Sequence, residues 1–134
     1  MLRFIVFLLL LLGKLQAQLY IFISHSMPFK AVCELAQEAK KAKGALVMRG
    51  WVNQSLPETL RYVKKLVEQT QCGVLIHPEL FSKYQVQYVP SMVLAEEKRF
   101  DQMTGHVSLK YALRSFKQEG DLKNLAERHL EWLS

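Results

Sequence analysis

The run Leu-Tyr-Ile-Phe-Ile at residues 19–23 limits the possible folds of this chain more than any other stretch. It is short, almost wholly apolar and rich in residues that favour strands, which is typical of a strand covered on both faces of a parallel sheet. A polar turn follows it, and apolar residues then recur at helical spacing from Phe29 until Gly44. A buried strand followed directly by an amphipathic helix predicts a mixed α/β domain.

A second strand and a second helix are predicted next. Residues 45–52 have the composition of a strand, and Ser55 with Glu58 three residues later forms a capping-box signature at the start of a helix. Three apolar residues then recur at helical spacing and predict the buried side of this helix: Leu60, Val63 and Val67.

The second half of the chain changes from alternating elements to a hairpin and two helices. Residues 73–76 predict a short third strand, followed by one or two helical turns. Residues 91–95 and 99–103 are joined by a polar turn and predict a β-hairpin. Two helices close the chain, and we expect Ser108 to cap the first and Asp121 to cap the second.

The predicted order is that of an α/β thioredoxin-like fold: β-α-β-α, a short insertion, then β-β-α, with an extra C-terminal helix. Pro90 immediately precedes the third core strand, which is where that fold has a cis-proline. Cis bonds account for only about 5–6% of X-Pro bonds, so the prediction rests on position in the fold. We expect a cis Val89–Pro90 bond that faces the turn at residues 26–28.

The first 17 residues have the layout of a secretory signal peptide. A positive start that contains Arg3 is followed by nine consecutive apolar residues at positions 4–12, and Ala17 closes a short, more polar run. A membrane anchor is the alternative, but a spanning helix needs about 20 mostly apolar residues. We predict cleavage after Ala17, which leaves an exported domain of residues 18–134 with no stable membrane insertion.

Composition excludes two other classes of protein. With 50% apolar and 22% charged residues, the chain is neither disordered nor a polytopic membrane protein.

The net charge of +6 includes Arg3 and Lys14 of the predicted signal peptide, so the remainder carries +4. Lys40, Lys41 and Lys43 lie at a predicted helix end, where cations interact favourably with the helix dipole. We interpret them as a solvated terminus, and no nucleic-acid-binding surface is predicted.

Two cysteines, Cys33 and Cys72, would enter an oxidising compartment after export. Their spacing is not a redox or metal motif, and Cys33 falls on the apolar face of the first helix. A disulfide and two small buried thiols both remain open. His25 and Met27 precede Cys33 but form no compact set of ligands with it, so no metal site is predicted.

Four segments of the predicted domain carry a family resemblance: residues 20–28 (YIFISHSMP), 46–55 (LVMRGWVNQS), 77–81 with 89–91, and 105–113 with 119–122. In this order they resemble the TrbC family of F-type conjugative pilus-assembly proteins. The resemblance implies a periplasmic protein with a thioredoxin-like fold that helps to assemble the pilus of a type IV secretion system. It also implies exported partners, a TraW-like protein and pilin. The sequence departs from the expected pattern at His77, where we expect an aspartate.

The start of the first helix argues against redox chemistry. Thioredoxin-fold oxidoreductases carry Cys-x-x-Cys there, because the helix N-terminus stabilises a thiolate. Ser26, Met27, Pro28 and Phe29 hold that place here, and none of them carries electrons. We interpret Ser26 as the helix cap and Pro28 as the helix start, and we predict a non-enzyme with no catalytic residue and no cofactor. The alternative is a thiol–disulfide oxidoreductase or isomerase that uses Cys33.

A partner-binding surface is predicted at the carboxyl ends of the parallel strands, where open α/β sheets gather their ligands. Backbone beside a cis-proline can also pair with an extended peptide. The predicted surface has an apolar shelf of Met27, Phe29, Val89 and Pro90, beside the turn residues Ser26 and Pro28, and a rim of Arg49, Trp51 and Asn53. The alternative for the rim is an exposed strand end packed by the following loop.

Overall fold

Five strands and five α-helices form the part of the chain that the computed structural model describes, residues 17–134. The strands are β1 (Gln18–Ile23), β2 (Ala45–Met48), β3 (Val74–Ile76), β4 (Ser91–Ala95) and β5 (Phe100–Thr104). The helices are α1 (Phe29–Lys41), α2 (Leu56–Thr70), α3 (Pro78–Lys83), α4 (Leu109–Glu119) and α5 (Lys123–Leu133), with a 3-10 turn at Val52–Gln54. The predicted signal peptide lies outside the described residues except for Ala17.

The strands form a single mixed sheet in the order β3-β2-β1-β4-β5. The central strand β1 pairs in parallel with β2, with Ile23 opposite Met48. On its other side it pairs antiparallel with β4, with Phe22 opposite Ser91. The element order and the hairpin agree with the predicted thioredoxin-like arrangement, and β3 forms the edge strand on the parallel side.

Helices cover both faces of the sheet. One face carries the larger core, in which Leu19, Ile21 and Ile23 of β1 pack with the buried sides of α1, α2, α4 and α5. The opposite face carries a smaller core, in which Phe22 meets Phe81 of α3 edge-on at 4.8 Å between ring centroids. None of the helices within residues 17–134 has the length and apolar character that a bilayer crossing requires.

Two predicted boundaries were wrong. The second strand ends at Met48 and does not reach position 52, because the chain leaves the sheet and Val52 begins the 3-10 turn. Helix α1 begins at Phe29, and Pro28 is its N-cap residue, with an extended ψ of 131°. The proline therefore precedes the first helical turn and is not part of it.

The predicted buried side of α2 was also wrong. Leu60 is 60% exposed and Val67 is 40% exposed, whereas Thr59 and Thr70 are buried beside Leu66. Each threonine hydroxyl donates to the carbonyl four residues earlier, at 2.6 Å for Thr59 and 2.7 Å for Thr70. Because these hydroxyls are satisfied within the helix, burying them costs little, and the core accepts them.

The N-terminus of α5 is capped from outside its own segment. The Asp101 carboxylate, on β5, accepts the backbone N–H groups of Asp121 and Leu122 at 2.9 and 3.0 Å. Leu122 is the N-cap residue and makes no side-chain cap, so the predicted cap by Asp121 was wrong. Gly120 allows the close approach, because a Cβ there would run into the Asp101 carboxylate.

Replacing Asp101 should therefore destabilise the domain, whereas replacing Asp121 should not. We expect Asp101→Ala to lower the free energy of unfolding by about 1–2 kcal/mol, the usual cost of a lost helix cap. Asp121→Ala should cost no more than about 0.5 kcal/mol, because its side chain is exposed. Urea unfolding measures the free energy of unfolding of the two variants. An equal loss of unfolding free energy in both would contradict the assignment of Asp101 as the cap.

His129 is the one buried histidine among the described residues, at 4% exposure on the inner side of α5. Its Nδ1 lies 2.6 Å from the Ala42 carbonyl oxygen, and its ring meets Trp132 edge-on. Burial lowers the pKa of His129 below the ordinary 6.5, and the nearby Arg128 and Lys43 add to the effect against the opposing backbone hydrogen bond. The ring is therefore neutral in the folded domain at neutral pH.

Acid should destabilise the domain through this ring. The unfolded chain binds a proton at His129 more readily than the folded domain, so stability is full above pH 6.5 and falls as the pH drops below it. We expect His129→Gln to flatten this part of the curve of unfolding free energy against pH, and His106→Gln, at an exposed position, to leave it unchanged. The same slope in His129→Gln as in the wild type would count against His129 as the source.

Candidate functional site

A cavity of about 360 Å³ opens at the carboxyl ends of β1 and β2. Because Ile23 pairs with Met48, the two strands end side by side. The connection between α3 and β4 folds back to form the third wall. We name this cavity the strand-end pocket; its lining comes from residues 23–25, residues 48–51, Phe81 of α3 and the connection residues Val86, Gln87 and Val89.

Arg49 joins two walls of the strand-end pocket. Its Nη2 donates to the Val86 carbonyl oxygen at 3.1 Å, and its guanidinium carbon lies 5.0 Å from the centroid of the Phe81 ring. The guanidinium has five N–H donors, so most stay available after this bond. Within residues 17–134 no carboxylate is close enough to form an ion pair with it. The pocket lining therefore pairs apolar walls with a cation and suits an apolar side chain beside a carboxylate or carbonyl group.

Trp51 stands at the rim of the strand-end pocket with 52% of its surface exposed. The backbone just after it is fixed, because the Val52 N–H donates to the buried Thr59 hydroxyl at 2.8 Å. Thr59 in turn donates to the Ser55 carbonyl oxygen. The indole is therefore a large exposed aromatic group on a rigid base.

The peptide bond between Val89 and Pro90 is cis, as the sequence predicted. It also faces the turn after β1, because Met27 and Pro90 line a second cavity of about 290 Å³ together with Val107. Val89 lines the strand-end pocket on the other side. The cis peptide therefore lies between the two cavities.

The predicted shelf is formed only in part, because Met27 and Pro90 line the second cavity and Val89 lines the strand-end pocket, whereas Phe29 lines neither. Met27 is only 8% exposed and belongs to the core, so it offers little surface to a partner. The Phe29 ring points to α2, where it meets Tyr62 edge-on at 5.7 Å and lies under the Lys65 ammonium group at 4.4 Å. Asn53 is exposed, has a positive φ of 50° and lies outside both cavities. Of the nine predicted residues, Arg49, Trp51 and Val89 line the strand-end pocket.

Ser26 does not cap α1, contrary to the interpretation from sequence. Its hydroxyl lies 2.9 Å from the Ser24 hydroxyl, and its backbone N–H donates to the same Ser24 oxygen at 3.2 Å. The Met27 N–H then donates to the Ser24 carbonyl, which closes the turn. Ser24 therefore organises the turn, while Ser26 is exposed at its surface.

Both thiols are free and neither is activated. The Cys33 sulfur lies 3.6 Å from Oε1 of Gln69, and the Cys72 sulfur donates to the Gly73 carbonyl at 3.5 Å. Burial raises the pKa of both thiols, and Lys65 beside Cys33 and Lys40 beside Cys72 only partly oppose the rise. Since the thiolate is the reactive form, both groups are poor nucleophiles at neutral pH.

Sequence reasoning missed the third wall of the pocket. Phe81 reaches the pocket from α3, and Val86 and Gln87 reach it because the connection after α3 turns back at Gln85, where φ is 53°. The only local signal for this wall was an apolar residue, Val86, between Gln85 and Gln87, and this pattern does not show which way the connection turns. His77 donates its backbone N–H to the Met48 carbonyl at 2.9 Å, which fastens the end of β3 beside the pocket.

A solved structure with a similar fold is StoA from Bacillus subtilis, a thioredoxin-like protein. It superposes with a TM-score of 0.51 over 89% of this chain and 83% of its own, at 18% sequence identity. At this level of identity the likeness concerns the fold alone. It confirms the predicted thioredoxin-like class.

Sequence comparison identifies the family. The periplasmic protein TrbC of Escherichia coli K12 is 31% identical over 112 residues, which is 83% of this chain and 52% of the relative. The chain thus spans about half the length of this curated relative. The family model for the type-F conjugative transfer system pilin assembly protein matches residues 21–116, most of the chain. This chain therefore belongs to the TrbC family of type-F conjugative transfer systems.

Proposed function

We propose that this chain is an exported factor that works in the periplasm during assembly of a type-F conjugative pilus. Membership of a family of pilin assembly proteins supports the assembly role. The Escherichia coli relative, whose name places it in the periplasm, supports the compartment. The signal-like layout of residues 1–17 supports export.

The proposed mode of action is reversible binding of another exported transfer protein, a TraW-like protein or pilin. The observation that carries this proposal is the half-exposed Trp51 at the rim of the strand-end pocket. Tryptophan and arginine are enriched among the few residues that supply most of the binding energy of an interface. Trp51 and Arg49 both line this cavity, which is large enough for a side chain of the partner.

Chemical turnover has less support. The start of α1 holds no thiol, and Cys33 lies more than one turn along the helix. The raised pKa of Cys33 keeps the sulfur protonated, which weakens the alternative of a thiol–disulfide oxidoreductase or isomerase. Binding without a covalent step is therefore the function we propose.

Trp51→Ala should reduce pilus assembly and weaken partner binding at least tenfold, since such a residue typically contributes about 2 kcal/mol or more. The domain should stay folded, because the indole is half exposed. Conjugation frequency from donor cells, copurification of the TraW-like protein and thermal unfolding test the three parts. Tyr111→Ala is the matched control, because Tyr111 is also an exposed aromatic residue, at 60%, but lies on α4 away from the pocket. Normal conjugation and normal partner binding in a folded Trp51→Ala variant would contradict the proposal that the partner binds at Trp51.

Removing both thiols should leave pilus assembly working. Cys33→Ala combined with Cys72→Ala removes two free, weakly reactive groups, and a loss of stability is the only expected cost. Conjugation frequency is measured together with the amount of folded protein in the periplasm. If the double variant is stable but abolishes assembly while Trp51→Ala is silent, the redox alternative replaces the binding proposal.

A further inference from the structure

The strand-end pocket carries a positive charge that nothing in its lining balances. Arg49 is part of the lining, and none of the eleven described residues that line the pocket is an aspartate or a glutamate. The second cavity, on the other side of the cis peptide, differs in this respect, because Glu34 and Glu38 line it. Of these two cavities, the strand-end pocket is therefore the one that attracts a negatively charged group.

The charge lies directly beside apolar surface. The Arg49 guanidinium carbon is 5.0 Å from the centroid of the Phe81 ring, and its Nη2 donates to the Val86 carbonyl oxygen at 3.1 Å. One residue of extended chain spans about 3.5 Å, so a ligand must carry its negative charge and its apolar group on one residue or on two adjacent residues.

Two backbone donors lie beside Arg49. Gly50 and Trp51 line the same pocket, and within residues 17–134 their N–H groups donate to no backbone acceptor. A Cβ built on Gly50 would have no atom within 4 Å, so the space next to this backbone is open. Free backbone N–H groups are the donors with which proteins capture a C-terminal carboxylate.

A C-terminal residue fits this arrangement better than an internal acidic residue does. It carries its carboxylate and its side chain on the same Cα atom. In an extended chain, neighbouring side chains point to opposite sides, so an internal aspartate and the apolar residue next to it do not enter one cavity together. The cavity of about 360 Å³ is also near the lower limit of ligand sites, roughly 300–1,000 Å³, which favours the end of a chain.

We propose that the strand-end pocket binds the C-terminal residue of the partner, an apolar residue whose free carboxylate is held by Arg49. This inference rests on the proposed function, since it takes the partner to bind at this pocket. The carboxylate accepts from the guanidinium donors that Val86 leaves free and from the N–H groups of Gly50 and Trp51. Such charge-assisted hydrogen bonds are stronger than neutral ones, and arginine can make two of them to one carboxylate.

Titration with short synthetic peptides tests the chemistry of the ligand. The first probe is N-acetylated Gly-Ser-Gly-Leu with a free carboxylate, added to the protein exported from cells that express the full chain. Nuclear magnetic resonance follows the indole N–H signals of Trp51 and Trp132. We expect a saturable shift of the Trp51 signal with a dissociation constant of about 1 mM, and no shift of the Trp132 signal. The same peptide with a C-terminal amide should bind at least tenfold more weakly, because it lacks the charge.

Two further peptides separate the parts of the ligand. N-acetylated Gly-Ser-Gly-Gly with a free carboxylate keeps the charge but has no apolar side chain. N-acetylated Gly-Asp-Gly-Leu with a C-terminal amide keeps the leucine and has a carboxylate only at the internal aspartate. Each should bind at least tenfold more weakly than the first probe, because each offers the pocket only part of the proposed ligand.

Variants of Arg49 test the protein side of the contact. Arg49→Gln should remove the preference for the free carboxylate over the amide and leave the domain folded, because Arg49 is exposed. Arg49→Lys should keep part of the preference, since it retains the charge but loses the planar fork. Arg114→Gln is the matched control, because it removes the same charge at an exposed position of α4 outside the pocket and should keep the full preference.

Four results would overturn the proposal. One is equal binding of the free acid and the amide, and another is a Trp51 signal that none of the peptides moves. The third is an Arg49→Gln variant that is folded and keeps the full preference for the free acid. The fourth is binding of the internal-aspartate peptide as tight as that of the first probe, which would show that an acidic segment within the partner occupies the pocket.

Failure of this inference differs from failure of the proposed function. If Trp51→Ala weakens binding of the whole partner but the peptides leave the Trp51 signal unmoved, the proposed function stands and the C-terminal residue as ligand is excluded. If the peptides bind as expected but Trp51→Ala leaves conjugation and partner binding normal, the pocket recognises a C-terminus and the proposed function fails.

Discussion

The pairing of β1 with its two neighbours determines where the candidate binding surface lies. Ile23 opposite Met48 sets β1 level with β2, and Phe22 opposite Ser91 sets it against β4. Because the registers are fixed, the residues just beyond the strands meet at one end of the sheet. Arg49 lies there because it directly follows β2, and the Val89–Pro90 peptide lies there because it directly precedes β4.

Burial of β1 on both faces makes this register hard to change. Leu19, Ile21 and Ile23 face the larger core, and Phe22 faces the smaller one. A slip by one residue would exchange the two sets and place side chains of the wrong volume in each core. The strand-end pocket therefore lies at the end of a strand that is buried on both faces, while the proposed recognition groups, Arg49 and Trp51, are exposed.

The elements were predictable from sequence where local pattern and tertiary packing agree. The run at residues 19–23, the hairpin and the cis-proline are of this kind. The buried side of helix α2 is not, because apolar spacing placed Leu60 and Val67 inside, whereas threonines with satisfied hydroxyls took the buried positions. The cap of α5 was missed for a different reason: Asp101 is distant in sequence, and only the folded sheet brings it to the helix.

The candidate site also contains residues that the sequence located correctly and residues that it did not. Arg49 and Trp51 follow from the rule that ligands gather at the carboxyl ends of strands, and Val89 follows from its place beside the predicted cis-proline, so the sequence located all three. Met27 and Phe29 were assigned to the same surface because they are close in sequence, but the turn and helix direct them into the core and toward α2. Phe81 was predicted within a short helix, but its place at the pocket depends on how that helix packs against the sheet. The place of Val86 could not be predicted, because it depends on the path of a connection that has no regular pattern.

Reversible binding at the strand-end pocket can be measured directly, because the chain has two tryptophans, Trp51 at the pocket and Trp132 on α5. Nuclear magnetic resonance resolves their two indole N–H groups during titration with the TraW-like protein of the same transfer system. The account predicts a saturable shift of the Trp51 signal, reversed on dilution, with the Trp132 signal unchanged. A complex that forms while the Trp51 signal stays unmoved would contradict it.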